Sequence, residues 1–461
     1  MRLWDELKAA MCEHPDSLVS EGARRYTFAE LIEKVEGLAS ALHAECYAID
    51  CQSELNAAIA LLACLAAGKT AVPLSHRYGE IHNKRILDFV QPPVIFSDTG
   101  EEVHTKISGY DGYKIPENPP ALIMCTSGTT GRPKGVMLSE ENIRCNLSDI
   151  RAYFQIRSDD RIFITRPLYH CAVLTGEFLV SLLVGCDIVF YSGSFNPAIM
   201  LRCLDEAQVT VWGNTPTLWK SICTLAHVMK MPIHLRVLMV SGEVLPKTIA
   251  ELLRRTFPTA DIYHVYGLTE ASPRVASLPP DEFDSFFDTV GYPLRRVTCR
   301  VIDARGRVVG PGEIGELIIR GDNVMTGYYL DDQTTQNALI DGWLHTGDMA
   351  SVDGRGHIKI HGRKDSMIIR AGMNIYPAEI EQALRSDERV KDLYVYGKPD
   401  PMFGEIIVLV ISGTFADEKE IRQMCIDKLP SYEQPSQIIL QDDLRYTASG
   451  KLIRSKEQLY D

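Results

Sequence analysis

The sequence predicts an α/β protein with a large N-terminal domain of layered α/β subdomains and a small, mobile α+β domain after it. Apolar strand-like runs alternate with amphipathic helix-like segments over about the first 360 residues, a pattern typical of largely parallel sheets covered by helices. From residue 300 onward Gly-rich turns join short strands, which predicts a small antiparallel β unit. A separate run of helices and strands begins after residue 364. We therefore assign residues 1–364 to the N-terminal domain and 365–461 to the C-terminal domain.

The N-terminal domain is expected to open with helices and then to alternate them with strands. The segment starting at Tyr26 predicts a helix to about Leu42. Residues 54–66 predict a second helix that ends near Gly68, because glycine commonly terminates helices. Short apolar runs predict strands at 71–74, 161–165, 187–191, 209–212 and 237–240.

The remaining elements belong to the antiparallel unit and the C-terminal domain. Strands are predicted at 300–303, 316–320, 343–352 and 357–360. Residues 310–315 match the glycine spacing of a dinucleotide site, but a strand follows them instead of the required helix, so we reject that reading. In the C-terminal domain, Pro377 starts a helix to Leu384, strands follow at 393–396 and 406–411, and a helix covers 418–429.

Composition and charge exclude several classes of protein. The chain has 461 residues, of which 45% are hydrophobic, and a net charge of −13, which argues against a general binder of nucleic acid or membrane surfaces. The first residues carry three acids and no long apolar core, unlike a secretory signal. The most apolar window, 171–190, contains Glu177 and Asp187 and predicts a buried helix and strand. Twelve cysteines without a CxxC pair indicate buried, reduced thiols, and we expect a cytoplasmic protein without a membrane span.

One loop, TSGTTGRPKG at residues 126–135, predicts a phosphate site. It combines three glycines, four hydroxyl residues and Lys134 between two apolar runs. Glycines allow backbone N–H groups to turn toward an anion, and the hydroxyls and the lysine add donors and charge. An ordinary surface turn is the alternative. Pro133 and Gly135 flank the lysine, so the loop does not match the Walker pattern.

Four further segments contain candidate site residues. Tyr266-Gly-Leu-Thr-Glu270 offers a ring that can stack on a base and a carboxylate that can bind Mg²⁺, or is a plain turn. The carboxylate of Asp348 can accept the hydroxyls of a ribose, or cap a turn. Residues 362–365 (GRKD) lie where the pattern changes and can form a hinge or a charged linker. Lys451, near the end of the chain, is alone an unremarkable solvated lysine.

Together, in this order and spacing, these motifs resemble the adenylate-forming superfamily, which includes acyl-CoA synthetases, the adenylation domains of nonribosomal peptide synthesis and firefly luciferase. The resemblance covers residues 26–453 and is closest to acyl- or aryl-CoA ligases. It implies that ATP and Mg²⁺ convert a carboxylic acid into an acyl-adenylate, and that a thiol then displaces AMP. A non-catalytic adenylate-binding module is the alternative from another class. It would require the loss of a catalytic residue, and these are all present.

The resemblance also assigns expected roles to individual residues. Thr269 would contact the α-phosphate, Glu270 would bind Mg²⁺, and Lys451 would bridge the acid and the α-phosphate. Asp348 would hold the ribose with Arg363 beside it, Asp365 would be the hinge, and Gly372 would line a thiol tunnel. The nucleotide-binding residues implied are Thr126, Ser127, Gly128, Thr129, Thr130, Gly131, Lys134, Gly242, Glu243, Val244, Tyr266 and Gly267.

The acid pocket is expected to accept a non-amino carboxylic acid. Relatives that activate amino acids carry an aspartate at the position of Ala172, and an alanine cannot pair with an ammonium group. His170 either gates the thiol tunnel or packs in the core. Arg274 binds a second carboxylate of the acid, or pairs with Asp281, Glu282 or another acid of the protein. The pocket walls implied by the resemblance are Gly213, Ser241 and Val265.

The thiol acceptor remains open at this point. CoA is the leading expectation, and the phosphopantetheine of an acyl carrier protein is the alternative, because both end in the same thiol arm. About 125 residues precede the phosphate loop, fewer than the family pattern leads us to expect. That departure predicts that the first subdomain is trimmed.

Overall fold

A computed structural model of the chain describes residues 2–98, 103–110, 112–127, 133–191, 193, 196–229, 233–370, 373–446, 452 and 454. These residues form four sheets of nine, seven, five and five strands. The nine-stranded sheet has six parallel strands at its centre, flanked by antiparallel strands at both edges. Its order is Tyr292–Pro293, Arg274–Leu278, Asp261–Gly267, Val237–Ser241, Val211–Asn214, Arg161–Ile164, Asp187–Phe190, Leu18–Glu21 and Arg24–Thr27.

The seven-stranded sheet carries the candidate phosphate loop. Four of its strands are parallel, and antiparallel partners extend it on both sides. Its order is Gly327–Tyr328, Pro133–Leu138, Leu122–Ser127, Thr70–Pro73, Cys46–Asp50, Val94–Asp98 and Val103–Ile107. The two strands expected to flank the loop are confirmed as Leu122–Ser127 and Pro133–Leu138. Residues 128–132 between them lie outside the described part of the chain.

Helices cover these sheets, as the alternating pattern predicts. The helix predicted from Tyr26 begins at Phe28, because the Thr27 hydroxyl and the Glu30 carboxylate accept each other's backbone N–H and cap it. Gly68, in the left-handed region, ends the next helix as expected. The helices are Leu3–Glu13, Phe28–Ser40, Glu54–Ala67, Glu80–Val90, Glu140–Tyr153, Cys171–Val173, Val180–Val184, Pro197–Glu206, Pro216–Met229, Lys247–Thr256, Phe283–Phe286, Asp332–Ala338, Pro377–Leu384 and Glu418–Lys428.

The window 171–190 is a buried helix and strand, as predicted. Its helix is interrupted by a π-helical turn at Leu174–Leu179, in which every side chain is buried. Nine of the twelve cysteines are likewise buried and none is paired, whereas Cys12 is exposed and Cys203 and Cys299 are partly exposed.

The antiparallel unit is confirmed and forms the first five-stranded sheet. Gly315 starts one of its strands, which confirms that the glycine run before it does not open a helix. The central strand Trp343–Val352 contacts three others and places Asp348 opposite Arg363. The strands are Thr298–Ile302, Gly315–Arg320, Leu339–Ile340, Trp343–Val352 and Ile358–Arg363.

The second five-stranded sheet belongs to the C-terminal module, which we define as the described residues from 368 onward. Its strands are Met373–Ile375, Ile368–Arg370, Gly404–Gly413, Val390–Asp400 and Gln437–Leu440. The two helices of the module pack with this sheet around a hydrophobic core drawn only from residues of the module. The module is thus a unit with its own core, while the exact domain boundary at residues 364 and 365 stays a prediction.

We predict that this module can lose its structure separately from the rest of the protein. Leu409 is fully buried at the centre of the module's sheet, so Leu409→Ala should destabilise the module by about 2–5 kcal/mol. All four tryptophans, Trp4, Trp212, Trp219 and Trp343, lie outside the module. Hydrogen exchange should therefore accelerate over 390–413 at denaturant concentrations where tryptophan fluorescence stays native.

Ile426→Ala provides the control for this experiment. Ile426 lies in the same module but is 56% exposed, so its replacement should change stability by less than about 0.5 kcal/mol. A simultaneous loss of amide protection and native fluorescence in Leu409→Ala would contradict separate unfolding.

Candidate active site

The candidate site lies at the carboxyl ends of three adjacent parallel strands. Val211–Asn214, Val237–Ser241 and Asp261–Gly267 are in register, with Gly213 opposite Met239 and Ser241 opposite Val265. Ligands of open parallel sheets bind at this edge, because loops and polar groups converge there. The predicted pocket walls Gly213, Ser241 and Val265 are therefore neighbours, and all three are buried.

A carboxylate cluster joins this edge to the antiparallel sheet. The Tyr266 hydroxyl donates to Asp348 Oδ2, and Arg363 Nη1 donates to Asp348 Oδ1 at 3.3 Å and to the carbonyl of Thr346 at 2.8 Å. Burial raises the pKa of the Asp348 carboxyl, although the Tyr266 hydrogen bond and the Arg363 charge oppose that shift. The structure thus brings together Tyr266, Asp348 and Arg363, three of the predicted nucleotide residues.

A second cluster connects the phosphate loop to the predicted magnesium ligand. The Tyr328 hydroxyl donates to Glu270 Oε1 at 2.9 Å, and Lys134 Nζ lies 5.6 Å from the centre of the Tyr328 ring. Tyr328 reaches this place because the short strand Gly327–Tyr328 pairs with Pro133–Leu138. Burial and the Glu270 carboxylate both raise the pKa of Tyr328, so it stays a neutral donor.

Glu270 suits a magnesium ion that is shared with phosphate. Mg²⁺ in nucleotide sites is usually held by one or two carboxylates together with phosphate oxygens and water. In the described part of the chain, the only hydrogen bond to the Glu270 side chain comes from Tyr328 at Oε1, so Oε2 is available. No group of three metal-ligating side chains occurs among the described residues.

Other predicted nucleotide residues flank these two clusters. Thr126 pairs with Lys134 and Ser127 with Pro133 at the base of the loop, while Gly128, Thr129, Thr130 and Gly131 lie outside the described residues. Thr269 and Glu270 lie in one short 3₁₀ turn directly after Gly267. Gly242, Glu243 and Val244 follow the strand Val237–Ser241, and Glu243 Oε2 accepts from the Thr217 hydroxyl at 2.8 Å.

His170, two residues before Ala172, packs against two tyrosines. Its Nε2 is 2.9 Å from the Tyr78 hydroxyl, and its ring contacts those of Tyr78 and Tyr169 at 5.8 and 5.4 Å. Both His170 and Ala172 are only partly buried. His170 is therefore not a fully packed core residue, and its role as a gate stays a prediction.

The predicted pairing of Arg274 with Asp281 or Glu282 is wrong. Glu282 instead accepts from Tyr292 and lies 2.6 Å from His357. The side chain of Arg274 is 2% exposed and extends toward the helical segment that follows Ala172. There it lies near Glu177, whose carboxylate forms an ion pair with Arg166.

The predicted hinge and the residues beyond it belong to the C-terminal side of the site. Asp365 is exposed in a short turn between the two five-stranded sheets, and its carboxylate accepts from Arg363 Nε at 3.4 Å. Gly372 lies outside the described residues, between the paired residues Arg370 and Met373. Lys451 is also outside them, next to Leu452, which pairs with Tyr446.

Comparisons with known proteins agree with this arrangement. Residues 7–112 and 109–329 match the model of the AMP-binding enzyme family, and residues 379–451 match that of its C-terminal domain. A feruloyl-CoA synthase from Amycolatopsis is 30% identical over 98% of this chain and 97% of its own length.

The chain belongs to the AMP-binding enzyme family. An indoleacetate–CoA ligase from Aromatoleum aromaticum is 29% identical over 93% of this chain and 92% of its own length. The o-succinylbenzoate-CoA synthetase of Bacillus subtilis, solved with its acyl-adenylate intermediate, is 26% identical with a TM-score of 0.85 and covers 100% of this chain and 98% of its own. The superfamily, the fold class and the AMP-forming acid–thiol ligase activity predicted from the sequence are confirmed. No helix among the described residues is long and apolar enough to cross a membrane.

Sequence reasoning missed several residues of the site. Tyr328 had no recognisable motif, and only strand pairing shows that it connects Lys134 with Glu270. Thr346 lay inside the motif around Asp348, and its hydroxyl accepts from the Asp348 backbone at 3.0 Å. Glu177 forms a buried ion pair with Arg166. The only sign of it in the sequence is an acidic residue within an apolar window.

We predict opposite stability effects for two aspartates of the antiparallel sheet. The folded state raises the Asp348 pKa, so its ionised form destabilises the fold above the ordinary pKa of aspartate. Asp348→Asn should therefore be more stable than wild type at pH 7, and the difference should vanish in acid.

The opposite effect is expected for Asp353. Although burial opposes the shift, hydrogen bonds from His357 lower the Asp353 pKa to about 2, so Asp353→Asn should lose stability at pH 7. Thermal unfolding between pH 3 and pH 8 measures both, and a destabilised Asp348→Asn at pH 7 would contradict the argument.

The same Asp348→Asn variant should bind ATP more weakly. Loss of a charge-assisted hydrogen bond costs about 1.5–3 kcal/mol, or roughly 10- to 100-fold in affinity. Removal of the ribose hydroxyls from the ligand should weaken wild type but add little to the variant, because both changes delete the same contact. Calorimetry with ATP, 2′-deoxy-ATP and 3′-deoxy-ATP tests this, and fully additive losses would place the ribose elsewhere. Asp353→Asn should bind all three like wild type.

Proposed function

We propose that this enzyme activates a small, non-amino carboxylic acid as its adenylate and transfers the acyl group to CoA. The observation that carries the proposal is that Lys134, Tyr328 and Glu270 form one cluster, while Tyr266, Asp348 and Arg363 form a second at the same sheet edge. The first cluster suits phosphates and Mg²⁺, and the second suits a ribose. A nucleotide that bridges them would have its α-phosphate near Thr269.

The site residues would promote adenylation through charge and orientation. Attack of the acid's carboxylate on the α-phosphorus releases pyrophosphate and concentrates negative charge. Fixed cations and donors therefore contribute most to the rate. Lys134 would neutralise charge on the leaving phosphates, Glu270 would hold the magnesium ion and Lys451 would bridge the acid and the α-phosphate. The thiolate of the acceptor then attacks the acyl carbon, and AMP leaves.

The nature of the acid follows from Ala172 and its surroundings. A methyl side chain provides no partner for an α-ammonium group, and burial of an unpaired charge is costly. The named CoA ligases among the relatives favour CoA over a carrier protein as the acceptor.

The direct test is a panel of carboxylic acids with ATP and Mg²⁺, in which hydroxylamine traps the acyl-adenylate. Non-amino acids should yield hydroxamate, AMP and pyrophosphate, and α-amino acids should yield none above background. Formation of ADP alone, or a preference for α-amino acids, would refute the proposal. Thioester formation with CoA and with a phosphopantetheinylated carrier protein then identifies the acceptor.

Lys451→Ala should separate the two half-reactions. Loss of one preorganised electrostatic contact typically costs about 10²–10³-fold in rate, so acyl-adenylate formation should fall by that factor. Thioester formation from pre-made acyl-adenylate should stay within a few-fold of wild type, because rotation about Asp365 would move Lys451 away for that step.

Single-turnover assays of each half-reaction measure the effect. Lys428→Ala is the matched control, since Lys428 is an exposed lysine of the same module and should change neither step. Equal losses in both half-reactions of Lys451→Ala would contradict domain rotation.

A further inference from the structure

Three charged side chains form a cluster at the inner end of the candidate acid pocket. Glu177, in the π-helical turn Leu174–Leu179, is paired through Oε1 with Arg166 Nη2. Burial raises the pKa of Glu177, while the positive charges of Arg166 and Arg274 act in the opposite direction. With two guanidinium groups and one carboxylate, the cluster carries at least one net positive charge.

Arg274 has no anionic partner among the described residues, since none of their carboxylate oxygens lies within 4.0 Å of its guanidinium group. The neighbours of that group are neutral: Nη2 lies 3.1 Å from Met239 Sδ and 3.5 Å from the Ala172 carbonyl oxygen, and the Tyr153 hydroxyl is close by. Within the described part of the chain, Arg274 Nε, Arg166 Nε and Glu177 Oε2 have no hydrogen-bond partner. A buried charge without a counter-charge is destabilising, so an anionic ligand that reaches the guanidinium of Arg274 would be favoured.

Two glycines, one of them the predicted pocket wall Gly213, lie against this cluster. A Cβ atom on Gly176 would lie 2.8 Å from Arg274 Nη2, and one on Gly213 would lie 2.7 Å from Met239 Cε and 3.1 Å from Glu177 Oε1. A larger residue at Gly176 would therefore displace Arg274, and one at Gly213 would displace Met239 and then Glu177. Ala172, whose carbonyl contacts Arg274, is partly exposed, whereas Glu177 and Arg274 are buried, so the cluster lies inward from Ala172.

We propose that the acid substrate carries a second carboxylate, which binds Arg274 at the inner end of the pocket. This inference rests on the proposed function, since it concerns the same acid. A guanidinium group presents its Nε and Nη donors as a fork that matches both oxygens of a carboxylate. A distal hydroxyl could donate to Glu177 Oε2 but would leave the net positive charge of the cluster uncompensated. The preferred substrate class is therefore a dicarboxylic acid.

Glu177 acts as a positioning residue in this proposal. Its ion pair holds Arg166 and limits the positive charge of the cluster, while Arg274 is left for the substrate. An acid with an uncharged distal end would leave Arg274 unpaired and would therefore bind less favourably than a diacid. This difference in binding free energy is the basis on which the site would discriminate between the two kinds of acid.

The test compares dicarboxylic acids with their monomethyl esters, which keep the shape but lose one charge. Aliphatic acids of four to ten carbons and aromatic dicarboxylic acids are assayed with ATP and Mg²⁺ through hydroxamate and AMP. For the best acid, kcat/KM should exceed that of its half-ester by about 30-fold or more in wild type.

Two variants should move this preference in opposite directions. Arg274→Met should reduce the ratio of diacid to half-ester to near one. Glu177→Gln, which removes the negative charge of the cluster, should raise the ratio. Arg254→Met is the control, because Arg254 pairs with Asp284 away from the pocket and its loss should leave the ratio unchanged. Thermal unfolding and ATP affinity verify that each variant is folded.

Several results would overturn the inference. Half-esters that react as well as diacids in wild type would refute it while the proposed function stands, and so would an unchanged ratio in a folded Arg274→Met. If Arg274→Met does not fold, the wild-type ratio and the response of Glu177→Gln still decide. If no acid of either panel yields AMP, the proposed function fails as well.

Discussion

The carboxylate of Asp348 connects the nine-stranded sheet to the antiparallel sheet that precedes the C-terminal module. It accepts from Tyr266 on the nine-stranded sheet and from Arg363 on the antiparallel sheet. Arg363 in turn contacts Asp365, where the chain leaves for the C-terminal module. A single buried anion therefore ties the predicted adenine and ribose contacts to the predicted hinge. Its raised pKa shows that the fold holds this charge at a cost, as is common at functional sites.

The acid pocket and the nucleotide site differ in how their polar side chains are paired. At the nucleotide site, donors and acceptors pair with one another, as Tyr328 does with Glu270. In the cluster of Glu177, Arg166 and Arg274, one buried polar atom of each side chain has no hydrogen-bond partner among the described residues, although Glu177 and Arg166 pair through their other atoms. The first arrangement can exchange protein contacts for ligand contacts at little cost. The second is completed only by a ligand of the right charge, which makes it suited to selection among acids.

Much of the fold was predictable because it depends on local pattern. Alternating apolar runs identified the parallel strands, and the change to Gly-rich turns identified the antiparallel sheet to within a few residues. The order of the motifs was sufficient to identify the family. Contacts between distant segments were not predictable: Tyr328 approaches Lys134 through strand pairing, and Arg274 was assigned partners nearby in sequence although its real neighbours are some 100 residues earlier. A single sequence contains no signal for such long-range pairs.

The short bridge between Tyr446 and Leu452 is anchored to the sheet of the C-terminal module. The Tyr446 hydroxyl donates to Asp392, and Leu452 packs with Tyr394, Val410 and Leu444, so both ends of the intervening segment are tethered to the module's sheet. Any movement of the module would therefore carry Tyr446 and Leu452 along with its sheet as one rigid body.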